Sequence, residues 1–400
     1  MMKLQQHVFT VLLMIVSQVH SSRIVPVGGI KPSDTFDTYV RSQGYPSESS
    51  HYATTEDGYI LNLWRIPNPG KPVVFLQHGI MASGFCYVVN GKELAPAFQL
   101  FDAGYDVWLG NNRGNRWSTN HTTLKTHTKE FWNFTFEEMG QYDLPAMISY
   151  TLNSTQREKV VLVAWSQGTT QTFIGASGNV ASSKMLHDSV SLFVALSPVA
   201  FMKDGSGEGL LRDLAKLGLG KPVAELWPYS FLQDNAAEDE VVKVLCKLTL
   251  GAVCKITVDL ICGTSSLDSK SAIADFTTHF PSGTSTKDIW HFEQYIDAKS
   301  EFFGRFDYGK KGNNAQYGQD TPPSFDVSTI SIPTAFFLGE KDRLVMKDDF
   351  QTLRGLYQNS SVVFEKTYDD FSHVTWVVGT DKAAPIWMDD FKRLITGFAV

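Results

Sequence analysis

The chain has 400 residues, of which 43% are hydrophobic and 12% aromatic, so it is long enough to bury a large core. That length allows one large α/β domain with an insertion, or two or three ordinary domains. The 35 Lys and Arg residues against 42 Asp and Glu give a net charge of −7, and no basic block stands out, which argues against a nucleic-acid partner.

Residues 1–22 are typical of a secretory signal peptide. Lys3 precedes a nearly unbroken apolar run at residues 8–16, and small residues follow near Ser21. The run is too short to span a bilayer comfortably, and no later segment is long and apolar enough for a membrane helix. We therefore expect a mature chain in the secretory pathway, either secreted or lysosomal. The alternative is a buried N-terminal helix.

Two further features agree with export. The acceptor pattern for N-glycosylation, N-x-[ST], occurs at Asn120, Asn133, Asn153 and Asn359. The four cysteines are Cys86, Cys246, Cys254 and Cys262. None belongs to a C-x-x-C pair, which argues against a zinc site, and an oxidising compartment favours one disulfide among them.

Short apolar runs, each followed by glycine or polar residues, predict the strands of a sheet. In chain order they are 59–66, 73–77, 106–109, 160–163, 192–196, 334–338 and 362–364, with a predicted helix over 142–152. Such runs, separated by helical stretches, are typical of a mostly parallel central sheet with helices on both faces. Polar residues of interest follow the strand ends, where open α/β sheets place their sites.

Residues 201–325 break this pattern. They are rich in Gly, Asp, Lys and aromatic residues, carry no clear buried strand, and have predicted helical segments at 209–217 and 238–250. We interpret this stretch, called the insertion below, as a mainly helical cap or lid. The core is then formed by residues 23–200 and 326–400. The alternative is that the insertion is a separate helical domain.

Ser166 carries the most informative chemical pattern in the chain. The run VVLVAWSQG, residues 160–168, reads as a buried strand that turns sharply into a helix. Such a turn strains the serine backbone, requires small residues two positions away on either side, and lifts the hydroxyl out of the sheet edge. Ala164 adds only one methyl group to the G-x-S-x-G pattern, so we predict that Ser166 is a nucleophile.

A serine nucleophile needs a base, and the base needs a carboxylate that orients it. His373 lies near the C-terminus after the last predicted strand, where a loop histidine can reach the serine. Asp342 follows the strand 334–338 and is the predicted acid, with Glu340 and Asp369 as fallbacks. The histidines of the insertion, His279 and His291, are expected to be structural.

Ester hydrolysis also needs hydrogen-bond donors for the developing oxyanion. One donor is expected from the backbone N–H after the nucleophile, which is that of Gln167. The second is expected from the loop after strand 73–77, which reads His78-Gly79-Ile80-Met81, and the N–H of Ile80 is the candidate. The alternative for this loop is an ordinary turn after a strand.

Several stretches give the chain a resemblance to the acid lipase family of animal gastric lipase and lysosomal acid lipase. They are TEDGYIL (55–61), LQHG (76–79), AGYDVWLGN (103–111), RGN (113–115), FW (131–132), EM (138–139), YDLPA (142–146), SQGTT (166–170), LSPVA (196–200) and ICG (261–263). The resemblance covers roughly residues 34–400 and is densest over 52–200, and the segment 106–115 is far more specific than the serine pattern alone.

The resemblance implies an α/β-hydrolase core with a lid-bearing cap and hydrolysis of lipid esters at mildly acidic pH. Carried over by position, it implies Ser166 as nucleophile, Asp342 as acid and His373 as base. It implies Gln167 and the residue after His78-Gly79 as oxyanion donors. It also implies a Cys246–Cys254 disulfide with Cys262 left free.

The chain departs from the family's pattern in two places. The family usually has Gly-His-Ser-Gln-Gly at the serine, where this chain has Ala164 and Trp165 before Ser166. The histidine loop usually reads Asn-His-x-Asp, where this chain has Ser372-His373-Val374-Thr375 and so lacks an acidic residue beside the histidine. These departures affect the expected substrate range and pH optimum more than the triad.

The resulting hypothesis is a serine lipase that hydrolyses neutral lipid esters through an acyl-enzyme, with triacylglycerols as the first candidate substrates and sterol esters as the second. Its partners are the lipid ester and, transiently, a lipid–water interface or membrane surface, and the mechanism needs no metal or organic cofactor. One alternative is a carboxylesterase that acts on small soluble esters. The other is a non-catalytic lipid-binding protein on the same fold, which the large Trp165 side chain keeps open.

Overall fold

The computed structural model of the chain describes residues 30–31, 33–203, 220–232, 252–298 and 301–399. The predicted signal peptide and the predicted helices at 209–217 and 238–250 lie outside these ranges. The Cys246–Cys254 disulfide also lies outside them, because Cys246 does. No helix in the described part is both long and apolar enough to cross a bilayer.

A mixed sheet forms the centre of the molecule. Its strands are β1 Glu48–Thr54, β2 Tyr59–Ile66, β3 Val73–Gln77, β4 Asp106–Gly110, β5 Asn120–His121, β6 Val160–Trp165, β7 Val190–Leu196, β10 Thr334–Gly339 and β11 Val362–Tyr368. They lie in the order β1-β2-β4-β3-β6-β7-β10-β11, with β5 paired to β2. The pairs β1–β2, β2–β4 and β2–β5 are antiparallel, and all pairs from β4 to β11 are parallel.

The sheet has a hydrophobic core on each face, which is why its central strands are apolar without alternation. In β3, Val74 and Leu76 belong to one core cluster while Val73 and Phe75 belong to the other. The α-helices that cover the faces or belong to the insertion are Phe36–Ser42, Gly91–Leu94, Pro96–Asp102, Phe136–Glu138, Leu144–Thr155, Gln167–Ala176, Ser183–Ser189, Gly220–Leu226, Ala252–Cys262, Lys270–Phe276, Thr286–Ile296, Gly309–Tyr317, Lys347–Leu356, Thr375–Val378 and Ala383–Thr396. The mostly parallel α/β architecture predicted from the sequence is therefore confirmed.

The strand β1 was not predicted, because its sequence has no apolar run. Three of its residues are half-buried, three are exposed and only Ala53 is buried, as expected for an edge strand that pairs on one side. The predicted helix over 142–152 begins differently from the expectation. A π-helical turn, Met139–Asp143, precedes the α-helix Leu144–Thr155, which has Pro145 in its first turn.

The described residues of the insertion add no strand to the central sheet. They do contain one short antiparallel ladder that the sequence analysis did not predict, between β8 Ser230–Phe231 and β9 Thr284–Ser285. Backbone hydrogen bonds join the insertion to the C-terminal part of the chain, from Ser269 N–H to Val378 O and from Thr380 N–H to Leu267 O. The boundaries 201–325 of a cap stay a prediction.

Candidate active site

Ser166 lies in a sharp turn between β6 and the helix Gln167–Ala176. All six residues of β6 are buried, and Ser166 itself has φ 57° and ψ −125°, a backbone region that non-glycine residues rarely adopt. A Cβ atom on Gly168 would lie 2.7 Å from the carbonyl oxygen of Gln77 and 2.9 Å from that of His78. Glycine is therefore required at 168, whereas the turn accommodates the methyl group of the buried Ala164.

The three side chains predicted as a triad are in hydrogen-bond contact. His373 Nε2 lies 2.7 Å from Ser166 Oγ, and His373 Nδ1 lies 2.9 and 3.0 Å from the two carboxylate oxygens of Asp342. All three residues are buried, with Ser166 6% exposed. Because the carboxylate accepts a hydrogen bond from the N–H at Nδ1, the ring carries no hydrogen at Nε2, which can therefore accept the proton of the serine hydroxyl.

Asp342 is fixed by its position after β10. Its Oδ1 accepts hydrogen bonds from the backbone N–H groups of Leu344 and Val345, at 2.8 and 3.0 Å, which prevents the carboxylate from rotating away. The two fallback acids lie elsewhere. Glu340 is exposed and pairs with Lys341, and Asp369 is exposed. The histidine thus contacts Asp342 and neither fallback.

The loop after β3 lies directly against the serine. A Cβ atom on Gly79 would come within 2.9 Å of Ser166 Cβ and 3.3 Å of its Oγ, so only glycine allows this approach. Ile80 follows in the same loop, which closes with a hydrogen bond from Ala82 N–H to Gly79 O. Gln167 is the first residue of its helix, where backbone N–H groups have no intrahelical acceptor. The assignment of Ile80 and Gln167 as oxyanion donors stays a prediction.

Comparisons with known proteins show which families the chain is similar to. Residues 36–91 match the family described as "partial alpha/beta-hydrolase lipase region", and residues 72–241 match the family described as "alpha/beta hydrolase fold". Gastric triacylglycerol lipase of Rattus norvegicus is 35% identical over 86% of this chain and 87% of its own length. Lysosomal acid lipase/cholesteryl ester hydrolase of Homo sapiens is 37% identical over 84% of this chain and 85% of its own length.

The chain belongs to the family of gastric and lysosomal acid lipases. Solved structures support the fold of this acid lipase homologue. A soluble variant of monoglyceride lipase from Saccharomyces cerevisiae, in complex with a substrate analogue, matches with a TM-score of 0.50 and 14% identity over 89% of this chain and 99% of its own. A putative aryl esterase from Burkholderia cenocepacia matches with a TM-score of 0.50 and 16% identity, over 86% and 97%.

The segment 106–115, the most family-specific stretch, builds the support beneath the glycine loop. The backbone N–H of Asn112 donates to His78 Nε2 at 3.1 Å, and His78 Nδ1 lies 2.7 Å from Gly79 O. Burial lowers the pKa of His78 to about 4, so its ring is neutral and can accept at Nε2. Next to it, the buried Arg113 pairs with Asp57 and Asp143. The sequence pattern therefore reflects the packing that holds the loop against Ser166.

Trp165, a departure from the family's pattern, contacts the base in this acid lipase homologue. Its indole Nε1–H donates to the backbone carbonyl of His373 at 2.8 Å, and the two ring centroids are 5.8 Å apart. The larger ring is evident from the sequence, whereas this hydrogen bond was not predicted. The only available signal was that a buried indole generally needs an acceptor for its N–H.

The two histidines of the insertion have contacts with residues outside the triad, as expected for a structural role. His279 stacks on Phe85, with ring centroids 4.0 Å apart. His291 stacks on Phe136 and hydrogen-bonds with Thr135 Oγ1 and Gly304 O, and burial lowers its pKa to about 3. The four sequon asparagines, Asn120, Asn133, Asn153 and Asn359, are all exposed, and their glycosylation stays a prediction.

Proposed function

We propose that this acid lipase homologue is a serine hydrolase of neutral lipid esters, with Ser166, His373 and Asp342 as its catalytic triad. The observation that carries the proposal is the unbroken hydrogen-bond chain from Ser166 Oγ through His373 to Asp342. The strained turn at Ser166 adds support, because strain of this kind persists only where the surrounding structure enforces it.

In the proposed mechanism, Ser166 Oγ forms a bond to the acyl carbon while its proton moves to His373 Nε2. The electron pair of the carbonyl moves to oxygen, and the N–H groups of Gln167 and Ile80 stabilise that oxyanion. His373 then donates its proton to the oxygen of the leaving alcohol, and an acyl-enzyme remains. Water repeats the cycle with the same base and releases the carboxylic acid. Asp342 keeps His373 in the required tautomer throughout.

Triacylglycerols and sterol esters are the proposed substrate class, at mildly acidic pH. The support is that two relatives are named as a triacylglycerol lipase and as a cholesteryl ester hydrolase. A second support is that the insertion exposes large apolar side chains suited to a lipid surface, among them Leu226, Trp227, Ile256 and Leu260. We also propose a secretory-pathway location, secreted or lysosomal, which rests on the predicted signal peptide and on the relatives.

The test is hydrolysis by purified, glycosylated protein of a panel of triacylglycerols, cholesteryl esters and short soluble esters from pH 4 to 8. The expected result is activity on emulsified long-chain esters that rises once the substrate exceeds its solubility limit. Ser166→Ala should abolish the activity while secretion is unchanged, and an active-site phosphonate should label Ser166 in the wild type alone.

Activity confined to dissolved short esters would favour a carboxylesterase. A folded protein that neither hydrolyses esters nor reacts with the phosphonate would favour the lipid-binding alternative.

A further inference from the structure

A buried carboxylate from the insertion holds the loop that carries His373. Asp268 is 5% exposed, and its two oxygens accept hydrogen bonds from Ser372 Oγ at 2.7 Å and from Thr375 Oγ1 at 2.6 Å. The N–H of Ser372 donates to Thr375 Oγ1 at 2.9 Å. The carboxylate of Asp268 therefore binds residues before and after His373 in the same turn.

Backbone hydrogen bonds hold Asp268 in place relative to that turn. The carbonyl of Leu267 accepts from Thr380 N–H at 2.7 Å, and Ser269 N–H donates to Val378 O at 2.9 Å. The N–H of His373 itself donates to the carbonyl of Cys262 at 3.0 Å, at the start of the same stretch of the insertion. The contact between Asp268 and the turn is thus part of a continuous attachment between two distant parts of the chain.

We propose that Asp268 is a positioning residue for His373, and that its ionised carboxylate aligns the turn 372–375 so that Nε2 meets Ser166. This inference rests on the proposed catalytic role of Ser166 and His373. It also explains the departure of the histidine loop from the Asn-His-x-Asp pattern. Position 375 carries Thr instead of Asp, and the acidic group that binds it comes from position 268.

The protonation state of Asp268 matters because it decides how many hydrogen bonds the carboxyl group can accept. An ionised carboxylate accepts at both oxygens, as Ser372 and Thr375 require, whereas a protonated acid must donate at one of them. Burial raises the pKa of Asp268 to about 6, against the opposing effect of the two hydroxyl donors and Lys255. The other ionisable groups around it are Asp259, Cys262, Asp370 and His373.

Asp268→Asn is the central test, because an amide accepts at one atom and donates at the other, like the protonated acid. At pH 7.5 we expect kcat on a soluble short-chain ester to fall about tenfold with KM unchanged, which corresponds to the loss of one strong hydrogen bond. Below pH 5 the wild type is itself protonated at this residue, so the ratio of wild-type to variant kcat should approach one. A purely structural role would not give a ratio that depends on pH in this way.

Thermal stability separates positioning from simple anchoring. Burial raises the pKa of Asp268, so its proton-linked contribution to stability is lost above that pKa, and Asp268→Asn should lower the Tm less at pH 7.5 than at pH 5, the opposite of its expected effect on kcat. The matched control is Asp288→Asn. Asp288 is also buried, accepts from Thr284 and from the Phe136 N–H, and has a pKa raised to about 7 by burial, but its hydrogen bonds go to neither triad loop. Its kcat ratio should stay near one at every pH.

A second variant tests the same contact from the other side. Asp268→Asn combined with Thr375→Asp moves the carboxylate across the contact and should restore kcat to within about threefold of the wild type, a recovery expected only of residues that interact directly. Unchanged kcat in Asp268→Asn at pH 7.5, or a fall in Tm that accounts for the loss, would overturn the proposal. Ser166→Ala is assayed in parallel. If it remained active, the proposed function itself would fail, whereas an inactive Ser166→Ala beside a fully active Asp268→Asn would remove only this inference.

Discussion

One hydrogen bond joins Ser166 to His373, but the contacts that hold the two residues in place are of different kinds. Ser166 is fixed by consecutive residues, because β6, the strained turn and the helix Gln167–Ala176 are one continuous stretch. Its N–H also bonds to Leu196 O at the end of the neighbouring strand β7. The position of the nucleophile is therefore determined by local sequence and by the sheet.

His373 instead lies in a loop whose contacts come from distant parts of the chain. Trp165 binds its carbonyl, Cys262 accepts from its N–H, and Asp268 binds the residues on either side. The nucleophile is thus placed by secondary structure, whereas the base is placed by tertiary contacts. Substitution of a residue that holds the loop of His373, such as Trp165 or Asp268, should therefore lower kcat less than substitution of a triad residue.

The largest effect is expected from Asp342→Asn, on the base side. An amide at this position can donate to Nδ1 and so favours the wrong tautomer of His373, and we expect kcat to fall by roughly 10³- to 10⁴-fold with the fold intact. The measurement is kcat and Tm of the purified variant. Glu340→Gln is the control, since Glu340 is exposed and pairs with Lys341, and it should leave kcat unchanged. The reverse outcome would move the proposed acid to Glu340.

Much of this arrangement could be predicted from the sequence where the determinants are local. The apolar run 160–163, with Ser166 and Gly168 shortly after it, predicted a strand, a turn and a helix, and the structure has all three. Asp342 and His373 were predicted from their order in the chain and their positions after strand ends. The structure places both in one chain of hydrogen bonds with Ser166. Their catalytic roles remain proposals.

The parts that could not be predicted depend on residues far apart in the chain. No sequence pattern links Asp268 to Thr375 or Trp165 to the carbonyl of His373, since each contact exists only after the chain has folded. The edge strand β1 was missed for a different reason. It buries little apolar surface, so the periodicity on which strand prediction relies is absent.

Gly79→Ala tests the nucleophile side and is expected to have the next largest effect. The new Cβ would lie 2.9 Å from Ser166 Cβ, so the serine or the glycine loop must shift, and a displacement of this kind costs roughly 10²-fold in kcat. Gly355→Ala is the control, because that glycine lies in the helix Lys347–Leu356 with no atom near the added methyl group. Normal kcat in Gly79→Ala would show that the loop is not rigidly placed against the serine.

A smaller effect is expected from Trp165→Phe. Trp165 directly precedes the nucleophile Ser166 in the chain and binds the backbone of the base His373. The change keeps an aromatic ring but removes the N–H that binds His373 O, so we expect kcat to fall about three- to tenfold, the equivalent of one hydrogen bond. Trp108→Phe is matched in size and burial, and the indole N–H of Trp108 has no hydrogen-bond partner in the described part of the chain. That control should leave kcat unaltered. Equal losses in the two variants would mean that Trp165 acts by packing alone.

The smallest effect concerns stability and the attachment of the insertion to the core. Asp268 binds the histidine loop and Asp288 binds the N–H of Phe136, and burial raises their pKa values to about 6 and about 7. A carboxyl group whose pKa is higher in the folded than in the unfolded state binds its proton more tightly when folded. Its stabilising contribution is complete below about pH 4 and is lost as the pH rises through its folded-state pKa.

Asp268 and Asp288 should therefore each stabilise the protein more at pH 5 than at pH 8, whereas the buried His78 and His291, whose pKa values are lowered, act in the opposite direction. Asp268→Asn and Asp288→Asn should each lower the Tm at pH 5 relative to the Tm at pH 8, by on the order of a few °C at a fixed scan rate, and the double variant should do so most, because an amide does not titrate. Of the two, only Asp268→Asn should also change the dependence of kcat on pH. A dependence of Tm on pH that is the same in both variants as in the wild type would show that these two carboxylates contribute no proton-linked stability to the attachment of the insertion.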